Sequence, residues 1–475
     1  MQTDVLIVGA GPVGLTLAID LGRRGVSCTL VERKPAPEFL PKMERCNART
    51  MEIFRRMCLA EKIRARGLRA DVPMDVFVVL AMNEPPLLRL PYPSVDQSRA
   101  QIASRSDGTM PREPYHLISQ YTLEPLLKSE AEALPAVTVR YGCAFESLAQ
   151  DSRGVDALLR DLDGTSTRVR AAYLVGCDGG GSSVRRQLGI QLRGEGDMMR
   201  FWQALYYCPE LYDRMPIDRG PGHGRHYHVA DDRATFLIMQ DSTRHWTLHA
   251  VVDRPEDMKK QFERTIGVPI RYEMLYAGEW RQNLLLADRY RSGRVFLAGD
   301  AVHLMIPTGG LGMNTGVGDA IDLSWKLAAA VQGWGGPALL DSYEIERRQV
   351  GDRNVGASRY ASLGRRTWRA QYRPDIREAT VAGQAVREHL ARVADVEQRK
   401  TNEMIGAELG YRYVGSPVIP AIEDEADGPE QHVREYVPTT WPGARLPHVW
   451  IEPGVSVHDR IGDGYTVLDL GGRSG

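Results

Sequence analysis

The N-terminal stretch DVLIVGAGPVGLTLAIDLGRRGVSCTLVER contains the pattern that most narrows the possible folds. Val5–Val8 is an uninterrupted apolar run, as a strand buried on both faces requires. It leads into the motif GxGxxG, made by Gly9, Gly11 and Gly14, which opens a helix. A second apolar strand then ends at Glu32, about twenty residues after the glycines. This order predicts a βαβ unit with parallel strands.

The spacing of these residues suits a dinucleotide. The first glycine permits the tight turn, the second lets a pyrophosphate touch the backbone, and the third packs the helix on the strand. Glu32 is expected to accept hydrogen bonds from the adenosine ribose. A lone GxGxxG also occurs in turns that bind nothing. Because this one follows a strand, opens a helix and carries its acid, it predicts dinucleotide binding.

Length and composition exclude several classes of protein. A chain of 475 residues is too long for one ordinary core, which predicts two or three domains. The net charge of −1 gives no electrostatic reason to bind nucleic acid. The six cysteines form no CxxC pair, which argues against a disulfide framework or a zinc site and fits the cytoplasm. The sequence starts almost at once on a strand, without room for a signal peptide, and has no membrane-span-like apolar run.

Two further acids follow strand-like runs and are themselves followed by glycine-rich loops. Asp178 precedes GGGSS, and Asp300 precedes the loop that ends in GGLGMN. Ligands of open parallel sheets bind at the carboxyl ends of strands, so both acids should meet the same cofactor as the first motif. A helix predicted from Thr315 would aim free N–H groups at this cofactor. The combined reach of the three segments favours a long cofactor with a ribityl chain.

The remaining patterns predict an α/β fold, in which a Rossmann-like parallel sheet carries an inserted mostly-β substrate domain and a helical C-terminal part. Alternating apolar runs and prolines indicate the β-rich insertion, and a charged helical pattern follows it. The predicted parts are a cofactor domain at 1–70, 105–195 and 285–350, a substrate domain at 71–104 and 196–284, a helical region at 351–415 and an extended tail at 416–475.

Three segments together resemble the single-component, FAD-dependent aromatic hydroxylases of the para-hydroxybenzoate and phenol hydroxylase type. They are GAGPVGLTLAIDLGRRG with its VER, CDGGGSSVR, and GDAVHLMIPTGGLGMNTGVGDAIDLSWKLAAAV. The resemblance implies bound FAD, with NAD(P)H and O₂ as co-substrates. It also implies that a flavin C4a-hydroperoxide hydroxylates a phenolic or other electron-rich aromatic substrate. No second GxGxxG is present, so NAD(P)H is expected to bind transiently in a groove.

Two other functions remain open on the same scaffold. One is a Baeyer–Villiger-type or other flavin oxidoreductase that acts on a non-phenolic polycyclic or polyketide-like substrate. The other is a binding protein without redox turnover, against which Pro307 and the intact GGLGMN loop argue. A homodimer is possible. Relatives often continue after GDGYTVL into a thioredoxin-like domain, which is expected to be absent or truncated here.

The resemblance assigns one set of residues to FAD. The glycines cradle the pyrophosphate, Glu32 and Arg33 hold the AMP ribose, and Asp300 accepts from ribityl hydroxyls. Gln120 meets the cofactor in this family, although an ordinary helix cap is the alternative. Many relatives have Pro-Arg-Ala where this chain has Pro41-Lys42-Met43, so the role of that arginine falls to Lys42 or Arg45. The full set is Gly9, Gly11, Pro12, Val13, Gly14, Glu32, Arg33, Lys42, Arg45, Gln120, Asp178, Asp300, Gly310, Leu311, Gly312, Met313 and Asn314.

The candidate catalytic residues are Glu44, Pro307 and His226. In phenol-type relatives, an acid or histidine at the position of Glu44 is implicated in deprotonating the substrate. A dry pocket would raise the pKa of Glu44, whereas Lys42 and Arg45 would lower it, and both outcomes stay open. The alternative is a surface glutamate paired with a neighbouring arginine.

The other catalytic candidates rest on position. Pro307 should lie along the isoalloxazine edge. His226 and His228 are alternate residues of a predicted strand and point to one face, which suits a substrate pocket. With His223 they suggest a metal only weakly, because no cysteines or clustered acids accompany them. His303 follows Asp300 and is structural or catalytic.

Overall fold

The computed structural model describes residues 1–421 and 428–469. Its helices are α1 Pro12–Arg23, α2 Ala48–Arg56, α3 Ala60–Arg66, α4 Val95–Ala103, α5 Gln120–Glu132, α6 Ser183–Gln187, α7 Glu210–Arg214, α8 Asp257–Ile266, α9 Gly312–Val331, α10 Pro337–Arg369, α11 Val381–Asn402 and α12 Ile405–Leu409. Its strands are β1 Gln2–Val8, β2 Cys28–Glu32, β3 Arg45–Cys46, β4 Val76–Val79, β5 Leu88–Leu90, β6 His116–Leu117, β7 Val137–Tyr141, β8 Cys143–Gln150, β9 Val155–Asp161, β10 Ser166–Gly176, β11 Leu192–Glu195, β12 Arg200–Tyr207, β13 His226–Val229, β14 Phe236–Met239, β15 His245–Ala250, β16 Glu273–Arg281, β17 Leu284–Ala287, β18 Arg291–Ser292, β19 Val295–Leu297, β20 His303–Leu304, β21 Trp450–Glu452 and β22 Val455–Ser456.

A parallel sheet with the strand order β7-β2-β1-β10-β19 forms the centre of the first layer. Its inner strands are apolar throughout, because both faces are covered, and Val5, Leu6 and Ile7 are fully buried. Helix α1 packs between α5 and α9 on one face. Since the strands are parallel, β1, β2, β10 and β19 all end at the same edge of the sheet. The predicted α/β fold with its Rossmann-like sheet is confirmed.

A second sheet of seven strands is built from two separate stretches of the chain. Its order is β16-β12-β15-β14-β13-β4-β5, and all neighbours are antiparallel except β13 and β4. Two strands come from the stretch between α3 and α4, and five come from the stretch between β11 and β17. The predicted β-rich insertion is therefore one continuous sheet.

The two faces of this second sheet differ in composition. One face packs against α8 and forms an apolar core that includes Tyr227, Leu237 and Trp246. The opposite face is aromatic and polar, and we call it the histidine face. Its members are Phe201, Gln203, His226, His228, Phe236, Ile238, Thr247 and His249, which are paired across the strands in register.

The histidine face lies against the rest of the molecule through specific polar contacts. Gln203 donates to the carbonyl oxygen of Pro41 at 2.6 Å. Ser119, which precedes α5, donates its N–H to Asp241 at 2.9 Å and its hydroxyl to Gln240 at 2.6 Å. These bonds fix the second sheet over the carboxyl edge of the parallel sheet, where the FAD-related motifs end.

The helical C-terminal part also packs against the histidine face. Helix α10 packs against α11, and Trp368 of α10 is fully buried beside His228. The predicted boundary at residue 351 falls inside α10, where Gly351 packs closely on the hydroxyl of Tyr290. The helix therefore continues without a break through the position where the sequence suggested a new region.

Where it is described, the predicted tail at 416–475 has short strands, turns and a 3-10 helix at Val457–Arg460. Residues 422–427 and 470–475 lie outside the described part. Arg445 pairs with buried Glu52 of α2, and the Trp450 indole donates to the carbonyl of Ile102 at 3.0 Å. The tail thus lies on the parallel-sheet layer. Of the helices in the described ranges, none is both long and apolar enough to cross a bilayer.

Candidate active site

The first glycine motif forms a turn with two crowded positions and one open position. Gly9 has φ +107°, and a Cβ there would lie 2.4 Å from the carbonyl oxygen of Cys177. A Cβ on Gly14 would lie 2.0 Å from the carbonyl oxygen of Gly9. A Cβ on Gly11 would approach nothing closer than the Glu124 carboxylate at 4.0 Å. Helix α1 starts there without a side-chain cap, which leaves its first N–H groups for a ligand.

Glu32 is fixed beside this turn by backbone hydrogen bonds. Its Oε2 accepts from the N–H of Ala10 at 3.0 Å, and its Oε1 accepts from the N–H of Lys34 at 3.1 Å. The carboxylate thus reaches from the end of β2 to the end of β1, which is the position that a ribose-binding acid requires. Arg33 is exposed next to it.

Asp178 follows β10 and presents one unsatisfied oxygen. Its Oδ2 accepts from the N–H and hydroxyl of Ser183, at 2.7 and 3.0 Å, and from the N–H of Val184 at 3.2 Å. Its Oδ1 is buried without a hydrogen-bond partner. A buried carboxylate oxygen of this kind normally has a partner, so Oδ1 is an acceptor available to a bound ligand.

The segment after β19 brings Asp300 to the same edge of the sheet. Gly299 has φ +65°, lies against Val13 of α1 and donates its N–H to Asp319 at 3.0 Å. The Asp300 side chain is exposed. His303 is fully buried and bonds the same Asp319 at 2.9 Å, so its role is to brace this loop.

The glycine-rich loop at 307–314 is held by side chains from distant parts of the chain. Arg45 donates to the carbonyl of Gly309 at 3.2 Å and to Glu408 at 2.6 Å. The Asn314 amide accepts from the N–H of Asn47 at 2.9 Å and donates to the carbonyl of Gly310 at 2.7 Å. The loop is therefore fastened to the segment that precedes α2.

The loop ends in a helix start that is open to a ligand. Helix α9 begins at Gly312, three residues before the predicted Thr315, and no side chain caps it. A Cβ on Gly312 would meet nothing within 4 Å, and neighbouring Met313 is only partly buried. Leu311 is buried, whereas Pro307 is exposed and its carbonyl accepts from the N–H of Gly310 at 2.9 Å. The start of α9 at Gly312 therefore opens onto free space, whereas Gly309 and Gly310 pack against Met404 and Arg45.

Two predicted cofactor residues lie at the border of the site. The Lys42 ammonium is half exposed and lies 3.6 Å from Glu38. Lys42 and Arg45 were the two candidates for the role of the arginine that many relatives carry in Pro-Arg-Ala. Of these two, Arg45 is the one in contact with the glycine-rich loop. Gln120 begins α5 and donates to Glu124 at 2.5 Å, which places it beside the open Gly11.

Glu44 lies where the FAD-related segments meet the histidine face. Its Oε1 is 3.1 Å from the Nε2 of His226 and 3.8 Å from a guanidinium nitrogen of Arg225. It pairs with neither Arg45 nor Arg49, which bind Glu408 and Glu52 instead. Burial acts to raise the pKa of Glu44, but His226 and the nearby arginines overcome this and hold it at about 2. Of the two outcomes that the sequence left open, the structure therefore favours a lowered pKa for Glu44 over the raised pKa that suits a carboxylate base.

His226 is the second member of this pair. Burial, together with the neighbouring Arg225, lowers the pKa of His226 to about 4, so the ring is neutral at pH 7. Because Glu44 is ionised, the hydrogen between them belongs to Nε2 of the ring. The other ring nitrogen, Nδ1, is buried without a partner. The pair therefore presents one unpaired acceptor on the histidine face.

The three histidines that suggested a metal do not share one site. His223 bonds the carbonyl of Tyr212 at 2.9 Å and stacks on its ring, whereas His228 bonds Gln398 of α11 at 3.2 Å. In residues 1–421 and 428–469, no group of three or more potential ligand side chains could hold a metal ion.

The observed groups fit FAD. An orphaned carboxylate oxygen at Asp178, an acid fixed at Glu32 and two uncapped helix starts surround a space whose glycines at 11 and 312 leave room for a ligand. Sequence reasoning missed Asp319 and Glu408, which brace this space. Asp319 lies inside the third segment quoted above but follows no strand directly, and Glu408 lies in a short helix outside all three segments.

Comparisons with known proteins agree with this site. A family model described as an FAD binding domain matches residues 2–358. FAD-dependent monooxygenase apdD of Emericella nidulans is 33% identical over 492 residues, which cover 98% of this chain and 78% of that protein. Aklavinone 12-hydroxylase DnrF of Streptomyces peucetius is 33% identical over 468 residues, which cover 95% of this chain and 87% of that protein.

Solved structures show the same similarity. RebC with bound 7-carboxy-K252c superposes with a TM-score of 0.86 at 31% identity, over 97% of this chain and 85% of RebC. The flavin-dependent monooxygenase PieE, in complex with FAD and substrate, gives a TM-score of 0.85 at 30% identity, over 98% of this chain and 84% of PieE. The chain therefore belongs to the FAD-dependent aromatic hydroxylases of the flavoprotein monooxygenase class and is an oxidoreductase.

Proposed function

We propose that this protein uses NAD(P)H and O₂ to hydroxylate a phenolic or similarly electron-rich aromatic ring. The observation that carries the proposal is the Glu44–His226 pair, which lies between the FAD-binding segments and an aromatic wall. A polar pair at this position serves a substrate that has a hydroxyl group next to its reacting carbon. The names of the relatives, which include a polyketide hydroxylase, support an aromatic or polyketide substrate.

The shape of the histidine face supports a flat substrate. Phe201 stacks on Trp280 with ring centroids 4.9 Å apart, and Phe236 stacks on His249 at 4.5 Å. Stacked rings form flat apolar walls, and flat aromatic substrates bind such walls with little loss of conformational entropy. A planar ring system of two or more fused rings is the substrate class that we infer.

In the proposed function, each residue of the cofactor site binds a different part of FAD. Glu32 holds the ribose, the free N–H groups at the start of α1 hold the pyrophosphate, and Asp178 and Asp300 accept hydroxyl groups farther along. The start of α9 favours negative charge on the ring system of the cofactor. When bound and reduced, FAD supplies the activation of O₂ that the protein side chains cannot provide.

The side chains at the substrate end control a proton. A phenol reacts faster as its phenolate, so the protein must accept or share the hydroxyl proton. In the proposed arrangement the Nδ1 of His226 accepts the hydrogen bond from this hydroxyl. Glu44 holds the Nε2 hydrogen and stabilises the imidazolium if the proton transfers. The pKa values of Glu44 and His226 are both low, so Glu44 is ionised and the ring of His226 is neutral at pH 7. The pair acts together with the positive charge of nearby Arg225 to stabilise an anionic oxygen of the substrate.

Product analysis of the purified, FAD-loaded protein tests this function. The protein should be yellow and should oxidise NADPH or NADH faster when phenols or hydroxylated polycyclic aromatics are added. With isotopically labelled O₂, the product should gain one labelled oxygen atom on the ring. Oxygen inserted between two carbon atoms would indicate a Baeyer–Villiger reaction instead, and NAD(P)H oxidation without any oxygenated product would contradict the proposal.

A further inference from the structure

The guanidinium of Arg365 on α10 indicates which charge the substrate carries. Arg365 lies over the ring of Phe236, with 4.8 Å from its central carbon to the ring centroid. Its Nε is buried without a partner, and in the described part of the chain Arg365 has neither a hydrogen bond nor an ion pair. An arginine that is partly buried at an aromatic wall usually has an acceptor, because its five donors otherwise lose their hydration.

The neighbouring charges do not supply this acceptor. Arg369, one turn along α10, donates to the carbonyls of Val229 and Thr235 at 3.2 and 2.8 Å and lies 3.9 Å from Asp231. Glu44 is nearest to His226 and Arg225. Asp231 and Glu44 are thus both engaged by other groups. Glu44 attracts Arg365 from a distance, but Arg365 has no direct carboxylate partner in the described part of the chain.

The histidines of the histidine face carry neither a negative charge that would balance Arg365 nor a further positive charge. Burial lowers the pKa of His226 to about 4 and that of His249 to about 3, and it holds the pKa of His228 well below its usual value. All three rings are therefore neutral at pH 7. Burial, aided by Arg369, lowers the pKa of Arg365 to about 9, so the guanidinium itself stays charged at that pH.

We propose that Arg365 is a specificity-determining residue that binds an anionic oxygen, either a carboxylate or an ionised phenol, on a planar aromatic substrate. The guanidinium lies over Phe236, whose ring already stacks on His249, and its fork can bind both oxygens of a carboxylate. This inference rests on the proposed function, because it places the substrate on the histidine face. It adds that the enzyme discriminates against neutral rings of the same shape.

Binding without turnover tests this inference. Isothermal titration calorimetry with the FAD-loaded protein at pH 7 would compare anthraquinone-2-carboxylate with its neutral carboxamide, and 2-hydroxyanthraquinone with its methyl ether. The parent protein should bind at least one anionic probe about ten-fold or more tightly than the neutral partner of that probe. The pair that shows the preference identifies the source of the charge as a carboxylate or a phenolate.

Two variants of adjacent residues separate charge recognition from a general effect on α10. Arg365→Met should weaken binding of the preferred anion about ten- to a hundred-fold and change the affinity for its neutral partner less than about three-fold. Arg366→Met is the matched control, because this neighbouring side chain is exposed. Arg366→Met should keep the parental preference, and thermal denaturation should show that both variants are folded.

Either of two results would contradict the inference about Arg365. The inference is wrong if the parent protein binds each anionic probe no more tightly than its neutral partner, or if Arg365→Met keeps the parental preference for the anion. These outcomes differ from a failure of the proposed function, because calorimetry measures binding in the absence of NAD(P)H. A protein that prefers anions but forms no oxygenated product would support Arg365 and contradict the hydroxylase.

Discussion

The FAD-binding edge of the parallel sheet and the histidine face use opposite means of recognition. The first is formed by backbone groups and by glycines at fixed short spacing, with acids such as Glu32 held by backbone N–H groups. The second is formed by long side chains from β12 to β15 and from α10. The difference fits a cofactor that is recognised by shape close to the main chain and, under the proposed function, a substrate that is recognised by exchangeable side chains. The cofactor should thus be shared in the family and the substrate should vary.

The largest expected effect is the loss of FAD when the crowded turn at Gly9 is distorted. In Gly9→Ala the new methyl group would lie 2.4 Å from the carbonyl of Cys177, in a backbone conformation at φ +107° that side chains rarely adopt. FAD affinity should fall more than about a hundred-fold, since strain and overpacking together exceed about 3 kcal/mol. Fluorescence titration of apoprotein with FAD measures this, and Gly356→Ala, where a methyl group meets nothing within 4 Å, is the control. Equal affinities for both variants would refute the crowded turn.

A smaller loss is expected when one acid at the same edge is removed. Asp300→Ala deletes a charged acceptor for the cofactor hydroxyls, a loss of roughly 1.5–3 kcal/mol. FAD affinity should fall about ten- to a hundred-fold, with Asp253→Ala, an exposed acid of the second sheet layer, as the control. If Asp300→Ala retains FAD as tightly as the parent, the assignment of this loop to the cofactor is wrong.

The cofactor edge could be predicted because its information is local in the sequence. Gly9, Asp178 and Asp300 each follow a strand directly, and the parallel strands bring them together. Glu44 and His226 are 182 positions apart, so their contact depends on how the second sheet is placed over the first. The sequence indicated each residue as a candidate, but not that they form a pair. It also did not indicate that His226 and the nearby arginines lower the pKa of Glu44, or that burial and Arg225 lower the pKa of His226.

The acid stability of the protein should depend on the histidine face. The folded-state pKa of His226, about 4, lies below its usual value of 6.5, so the unfolded chain binds more protons between these pH values. Stability should therefore fall as the pH decreases from 6.5 to 4, with a contribution from His226 of at most about 3 kcal/mol. Urea unfolding across this range should show a shallower pH dependence for His226→Gln than for the parent. An unchanged slope would mean that this ring is not buried in its neutral form.

The smallest expected effect concerns Cys46, which lies in the segment before α2 beside Arg45. Its thiol is fully buried in β3, and burial raises the pKa of Cys46 to about 12, so it is a poor nucleophile. We therefore predict that FAD is bound without a covalent bond. Acid precipitation should leave the yellow colour in the supernatant for the parent and for Cys46→Ala alike. Colour in the parental pellet that Cys46→Ala abolishes would show a tether.

The yield of hydroxylated product in Glu44→Gln tests the central claim, that the histidine face acts on the substrate and not on the cofactor. The variant should keep FAD and still oxidise NAD(P)H. It should hydroxylate a phenolic substrate about a hundred-fold more slowly at pH 7, the usual size of an acid–base contribution. This deficit should shrink as the pH approaches the pKa of the phenol itself, and Glu38→Gln, from the same segment, should behave as the parent. Hydroxylation by Glu44→Gln at the parental rate at pH 7 would contradict the account.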